Sequence, residues 1–293
     1  MKHLTSALLL AAAGLLPAGP SVQGTSIDVY VSVVDGKGEP AKGLTDHDFR
    51  VREDGVIREV QKAGVATDLL SIALLVDDSQ ALSPGLQMVR EALDGFITAL
   101  DGKAEIALVT FGDRPTIAVD YTTDRKKLLD AANRIFPRPG AGAYLLDAIV
   151  DVSHGLQKRE PKRPVIAVLA IDDEIEFSNR QYNQVLDEVA KSGAALHVVT
   201  LGTPSTSQTD ELRNRNQVIA IGTERTGGRR DNVLALTGAA PRMKQLANEL
   251  VYQYKVTYNR PETLIPPQKI EVTVSKPGLT ARARTRNPEA GAR

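Results

Sequence analysis

Apolar residues change their spacing twice along the chain. In SIDVYVSVVD (26–35), Ile27, Val29, Val31 and Val33 alternate with polar or small neighbours, the period of a strand with one covered face. GKGEP (36–40) reads as a turn. DFRVREDGVIREVQKAG (48–64) reads as two short strands about Asp54-Gly55, a hairpin signal. From residue 70 alternation gives way to continuous apolar runs separated by segments of helical period. LSIALLV (70–76), AEIALVTFG (104–112), PVIAVLAI (164–171) and ALHVVTLG (195–202) are such runs, as expected of strands covered on both faces. PGLQMVREALDGFITAL (84–100), TTDRKKLLDAANRIF (122–136), YLLDAIVDVSHGLQ (144–157), SNRQYNQVLDEVAKSG (178–193) and PRMKQLANELVYQY (241–254) read as helices, the second with a Thr cap and the fourth with a Ser cap. QVIAIG (217–222) fits either a strand or the end of a helix; the helix, ending near Gly227, is preferred because Gly-Gly is a natural stop. NVLAL (232–236) then makes a short edge strand. TIAVDY (116–121) follows its predecessor after only GDRP, too short for a parallel crossover, so that pair is antiparallel. Beyond residue 254, YKVTYN, QKIEVTVSK and TARART alternate again.

This order predicts an α/β fold with a doubly wound, mostly parallel sheet, flanked by a small antiparallel β domain from both chain ends. The expected divisions are a signal peptide at 1–24, an N-terminal β segment at 25–66 and an α/β domain at 67–252. A C-terminal β segment at 253–286 packs with 25–66, and 287–293 is a disordered tail. The signal reading rests on Lys2 and His3 ahead of ALLLAAAGLL, an apolar run too short to span a bilayer, followed by small residues. It predicts a secreted or periplasmic protein with no membrane insertion after signal removal.

Composition narrows the chemistry. Lys+Arg and Asp+Glu both number 36, which argues against nucleic-acid binding by bulk charge. Cysteine is absent and there are four histidines. His3 falls in the signal, His197 reads as a satisfied core residue, and His47 and His154 as surface. Neither G-x-S-x-G nor H-E-x-x-H occurs. TERTGGRR has the glycines of a phosphate loop without its lysine and reads as a helix stop. The run QKREPKRP (157–164) reads as a solvated connection.

Two acidic clusters stand out. Asp77, Asp78, Ser79 and Gln80 follow the run 70–76, and Asp172 and Asp173 follow the run 164–171. In an open α/β sheet ligands bind at the carboxyl ends of strands, where the strand order reverses. On adjacent strands the clusters would face one crevice, and such oxygen-rich groups suit Mg²⁺ or Mn²⁺.

VDDS (76–79) matches the start of a response-regulator receiver domain, but the third-strand Asp and later Lys-Pro of that fold have no counterpart. The von Willebrand factor A domain resembles more of the chain. LLVDDSQAL resembles its strand and D-x-S-x-S element, GAGAYLLDAI (140–149) its helix start with Asp147 and Ala148 in register, and VLAIDDE (168–174) its last acidic strand end. The flanks, GLTDHDFRVREDG above all, resemble a bacterial exported group of such proteins. The resemblance implies a non-enzymatic protein that mediates protein–protein interaction or adhesion. It further implies a metal-ion-dependent adhesion site in which Asp77, Ser79 and Asp172 are ligands. The family's second serine is Ala81 here and its loop threonine is Ala143, so cation binding is expected to be weakened or lost. Asp78, Gln80 and Asp173 are then the candidate partner-binding residues. The competing classes are a metal-dependent hydrolase and a structural scaffold.

Overall fold

The computed structural model describes residues 24–172, 175–262 and 265–287. Its strands are β1 (Gly24–Val34), β2 (Phe49–Glu53), β3 (Val56–Arg58), β4 (Val60–Val65), β5 (Leu70–Val76), β6 (Ala104–Thr110), β7 (Thr116–Thr122), β8 (Pro164–Ile171), β9 (Ala195–Leu201), β10 (Arg230–Val233), β11 (Tyr254–Pro261), β12 (Ile270–Val274) and β13 (Thr280–Arg282). The α-helices are α1 (Leu86–Ala99), α2 (Arg125–Asn133), α3 (Leu145–Arg159), α4 (Tyr182–Ser192), α5 (Asp210–Thr226) and α6 (Ala239–Val251).

The central sheet has the order β10-β9-β8-β5-β6-β7. All neighbours are parallel except β6 and β7, which pair antiparallel. Every residue of β5 is buried, because helices cover both faces. Phe96 and Val89 of α1, Leu128 of α2 and Met243 of α6 pack on one side. Leu146 and Ile149 of α3, Val185 of α4 and Val218 of α5 pack on the other. The expected doubly wound, mostly parallel sheet is present, and so is the antiparallel edge pair.

Strands from both ends of the described chain form two further sheets, β13-β1-β11-β4 and β12-β2-β3. β1 pairs β11 antiparallel from Gly24↔Pro261 to Val31↔Tyr254. Val31, Val51, Val256 and Tyr258 lie between the two sheets. Glu53 is fully buried there, accepting from Tyr258 Oη at 2.6 Å, Arg260 Nε at 2.7 Å and Arg58 Nε at 2.9 Å. Desolvation pushes its carboxyl up, but Arg260, Tyr258 and Arg58 outweigh it and hold the pKa below the usual value. Asp54 and Gly55 both take positive φ, 46° and 84°, the paired left-handed geometry that closes a two-residue hairpin.

Several local expectations are corrected. Residues 48–64 hold three strands, not two, and β4 leaves the hairpin to pair with β11. The cap of α2 is Asp124, whose carboxylate accepts from Lys127 N at 3.1 Å; Thr122 ends the preceding strand and Asp124 stands directly before the first helical residue. α4 begins at Tyr182, not at a Ser178 cap; Ser178 is buried beside α3, where its hydroxyl accepts from Asp147 N. β10 stands at 230–233, two residues ahead of NVLAL. The run 157–164 is not wholly solvated. Arg163 is buried and bonds to Gln253 Oε1 and the carbonyls of Leu250 and Asp68, joining the α/β sheet to the start of β11. His197 is buried as expected, but among the described residues neither ring nitrogen has a hydrogen-bond partner. Burial holds its pKa down at about 4, so the ring is neutral. Of the expected signal peptide 1–24, residues 1–23 lie outside the described residues, as do Asp173 and, of the expected tail 287–293, residues 288–293; Gly24 begins β1 and Asn287 is buried.

Candidate functional site

β5 and β8 are neighbours in register, Val76 beside Leu169, so the two acidic clusters emerge side by side at the carboxyl ends. The sequence-predicted residues that are described meet there, held differently from a set of free ligands.

Asp77 is 1% exposed. Its Oδ1 accepts from Ser79 N at 2.9 Å and its Oδ2 from Ile171 N at 3.0 Å. It thus ties its own turn to the end of β8. Asp78, expected to face a partner, is 4% exposed. Its Oδ1 accepts from Gly112 N at 2.6 Å and its Oδ2 from Arg138 Nε at 2.7 Å. Asp172 Oδ2 accepts from Asn232 Nδ2 at 2.7 Å, and Arg215 Nη1 of α5 lies 3.4 Å from its Oδ1. All six oxygens of these three carboxylates therefore meet a protein donor. Ser79 is fully buried and starts the short 3-10 helix 80–85. Gln80 is exposed and its Oε1 accepts from Gly140 N at 2.7 Å.

Backbone hydrogen bonds fasten the loops to each other. Arg138 N donates to Asp78 O, Gln80 N to Ala141 O, and Asp113 N to Gly142 O, at 2.9 to 3.1 Å. Ala143 N donates to Ile175 O, and Phe177 N to Ala143 O. Two glycines make this closeness possible. A Cβ on Gly112 would lie 2.6 Å from Ser79 N, and one on Gly142 would lie 2.1 Å from the Phe177 ring. Asp147, in register with the family helix start, is held by Arg180 Nε at 2.6 Å.

The crevice is divided. One cavity, about 320 Å³, is lined by Asp78, Thr110, Phe136 and Arg138. A second, about 320 Å³, is lined by Asp172, Thr200, Arg215 and Asn232. Each carries its own acid–arginine pair.

Sequence reasoning missed two features. Around the strand ends Phe136 is 61% exposed, Ile175 63% and Phe177 49%. Phe177 stacks on Tyr144, ring centres 5.8 Å apart, and Phe136 lies beneath the Arg90 guanidinium at 4.6 Å. Phe136 closes a stretch of helical period but lies beyond the end of α2 at Asn133, and EIEFSNR has no period to mark Phe177. The second feature is Glu176, 3% exposed. Its Oε1 accepts from Ser178 N at 3.1 Å, while its buried Oε2 has no hydrogen-bond partner among the described residues. Burial pushes its pKa up to about 7, against the pull of Ser178 and Arg215. Nothing in the sequence distinguishes it from a surface glutamate.

Residues 72–174 match the sequence model of the von Willebrand factor type A domain. This stretch carries the sequence pattern of the von Willebrand factor type A family. Proximal thread matrix protein 1 from the mussel byssus superposes with a TM-score of 0.51, at 13% identity, over 74% of this chain and 50% of that one. The chain thus spans about half the length of the mussel protein. A von Willebrand factor type A protein from Catenulispora acidiphila gives 0.49 at 9% identity, over 89% and 73%. The vWF domain of the type V pili tip protein Mfa5 from Porphyromonas gingivalis gives 0.47 at 10%, over 62% and 95%. At 13% identity the likeness to the mussel protein speaks for the fold alone. No curated protein sequence matches the chain significantly.

The von Willebrand factor type A fold implies a divalent cation between these strand ends, and the residues present do not fit one. Mg²⁺ needs an octahedron of oxygens at about 2.0–2.1 Å. Ala81 and Ala143 supply no side-chain oxygen, and protein N–H groups stand on the carboxylates. Two guanidinium groups already bring positive charge to the site. Among the described residues no cluster of three or more His, Cys, Asp or Glu is arranged to hold a metal. Among them, too, no helix is long and apolar enough to cross a membrane.

Proposed function

We propose that this chain is an exported, non-enzymatic protein-interaction module that binds its partner at the carboxyl-end face without a divalent cation. The observation that carries this reading is the contrast at that face. Asp77, Asp78 and Asp172 are satisfied by internal donors, while Phe136, Ile175 and Phe177 stand exposed around them. In a cation-dependent site an acidic partner group completes the metal shell. Here Arg138 and Arg215 fill the electrostatic role of the cation, and binding falls to the aromatic rim and to Gln80. Such rims suit protein recognition, since aromatic anchors carry much of an interface's energy. Export follows from the composition of residues 1–24.

The test is capture of proteins from an envelope extract of the source cells by the wild-type chain and by a Phe136→Ser/Phe177→Ser double variant. We expect capture in EDTA as well as in Mg²⁺. The double variant is expected to lose about 2 kcal/mol or more, roughly a thirtyfold weaker partner affinity, with an unchanged circular-dichroism spectrum. Capture seen only with Mg²⁺, or equal for both chains, contradicts the proposal.

A further inference from the structure

A third cavity lies at the opposite end of the sheet. It is about 230 Å³ and sits between α4, α5 and the segment that follows β13. Gly193 and Ala194, which lead into the amino end of β9, form part of its wall. Leu186, Val189 and Gly222 supply an apolar floor, and Arg225, Arg284 and Arg286 supply positive charge. Among the described residues Asp187 is the one acid in the lining.

Arg284 is matched differently from other arginines in this region. Arg229 pairs with Asp231, Arg260 with Glu53 and Arg282 with Glu249. Among the described residues, by contrast, the Arg284 guanidinium has a single hydrogen bond, from Nη2 to Gly193 O at 2.6 Å. That bond caps the end of α4 but supplies no countercharge. Burial lowers the pKa of Arg284 below the ordinary arginine value; Tyr258 opposes this in part, and among the described residues no carboxylate does. An unmatched cation in a partly closed site is costly, and an anion relieves that cost. The guanidinium fork is shaped to hold a carboxylate or phosphate with two parallel hydrogen bonds. The apolar floor requires that the anion carry hydrocarbon, and the cavity has room for roughly ten non-hydrogen atoms.

We propose that this cavity is a binding site for a small organic oxyanion, a carboxylate or phosphate head on a short apolar stem, gripped by Arg284 with Arg225 and Arg286. The site is independent of the carboxyl-end face and stands whether or not that face binds a protein.

The test is calorimetric titration of the full chain with 4-phenylbutyrate, phenyl phosphate, inorganic phosphate and the neutral 4-phenylbutanamide. At least one of the two aromatic anions should bind one-to-one, and which of them binds tighter identifies the head group. The amide should bind at least about tenfold more weakly, and so should inorganic phosphate. Arg284→Gln should lose about tenfold in affinity for the anion. Should that variant fail to fold, Arg225→Gln/Arg286→Gln leaves the Gly193 contact in place and should show a similar loss. Absence of saturable binding by either aromatic anion overturns the proposal. So does an amide that binds equally well, or unchanged affinity in the variants that fold.

Discussion

Asp78→Ala will lower the stability of the chain by about 2–4 kcal/mol, read as a lower urea midpoint with an unchanged slope. Two groups lose their partner at once. Gly112 N is buried and donates to Asp78 Oδ1, and no other acceptor replaces that oxygen once the side chain is cut back. An orphaned buried donor alone costs about 1–3 kcal/mol. Arg138 loses a charge-assisted bond, but its side chain is 38% exposed and can turn to water, so this part is smaller. Asn at 78 keeps an acceptor for Gly112 N and should recover more than half of the loss. If Asp78 were instead a surface residue waiting for a partner, alanine there would change stability by less than about 0.5 kcal/mol.

Glu176→Gln will remove most of a fall in stability between about pH 4.5 and pH 7. The folded-state pKa of Glu176 is raised from 4.5 to about 7, chiefly by burial. The folded state therefore favours the neutral acid. The associated stability is full below the unfolded pKa of 4.5 and is lost as pH rises through the folded pKa. The loss amounts to about 3 kcal/mol once both states are ionised. Glutamine preserves an acceptor for Ser178 N and has no charge to bury. At pH 8.5 the variant should be more stable than the wild type by about 2–3 kcal/mol, and at pH 4 the two should agree within about 0.5. The difference between the two chains isolates Glu176 from every other titrating group. Equal stabilities at pH 8.5 would mean that Glu176 is ionised in the fold at no cost.

The sheet was legible because burial on both faces writes itself as unbroken apolar runs. Leu70–Val76 and Pro164–Ile171 could be read as neighbours before any coordinates, and the short GDRP link forced the antiparallel edge. Local hydrogen bonds were less legible. Ser178 looked like a helix cap because a hydroxyl before a helical run usually is one, yet it turns inward to Asp147 N. At the site, the residue types and their meeting point could be read from strand ends and from the resemblance. Their engagement could not. Arg138 lies 60 residues from Asp78, and Arg215 lies 43 from Asp172. Neither pairing has a local sequence signature, so Asp78 looked available to a partner when it is buried. Phe177 escaped notice because an exposed aromatic in a loop has no period. Its position follows only from the Gly142 gap that receives its ring.

The central claim is that internal arginines and backbone donors have taken the place of a cation at the carboxyl-end face. The most direct measurement is isothermal titration of the EDTA-stripped chain with Mn²⁺ and Mg²⁺, with Asp172→Asn as control. The account predicts no saturable heat up to about 10 mM of either ion, and no rise in melting temperature, since an ion bound at a hundred times its Kd would add about 2.7 kcal/mol. One-to-one binding that disappears in Asp172→Asn would contradict it and restore a metal to the crevice.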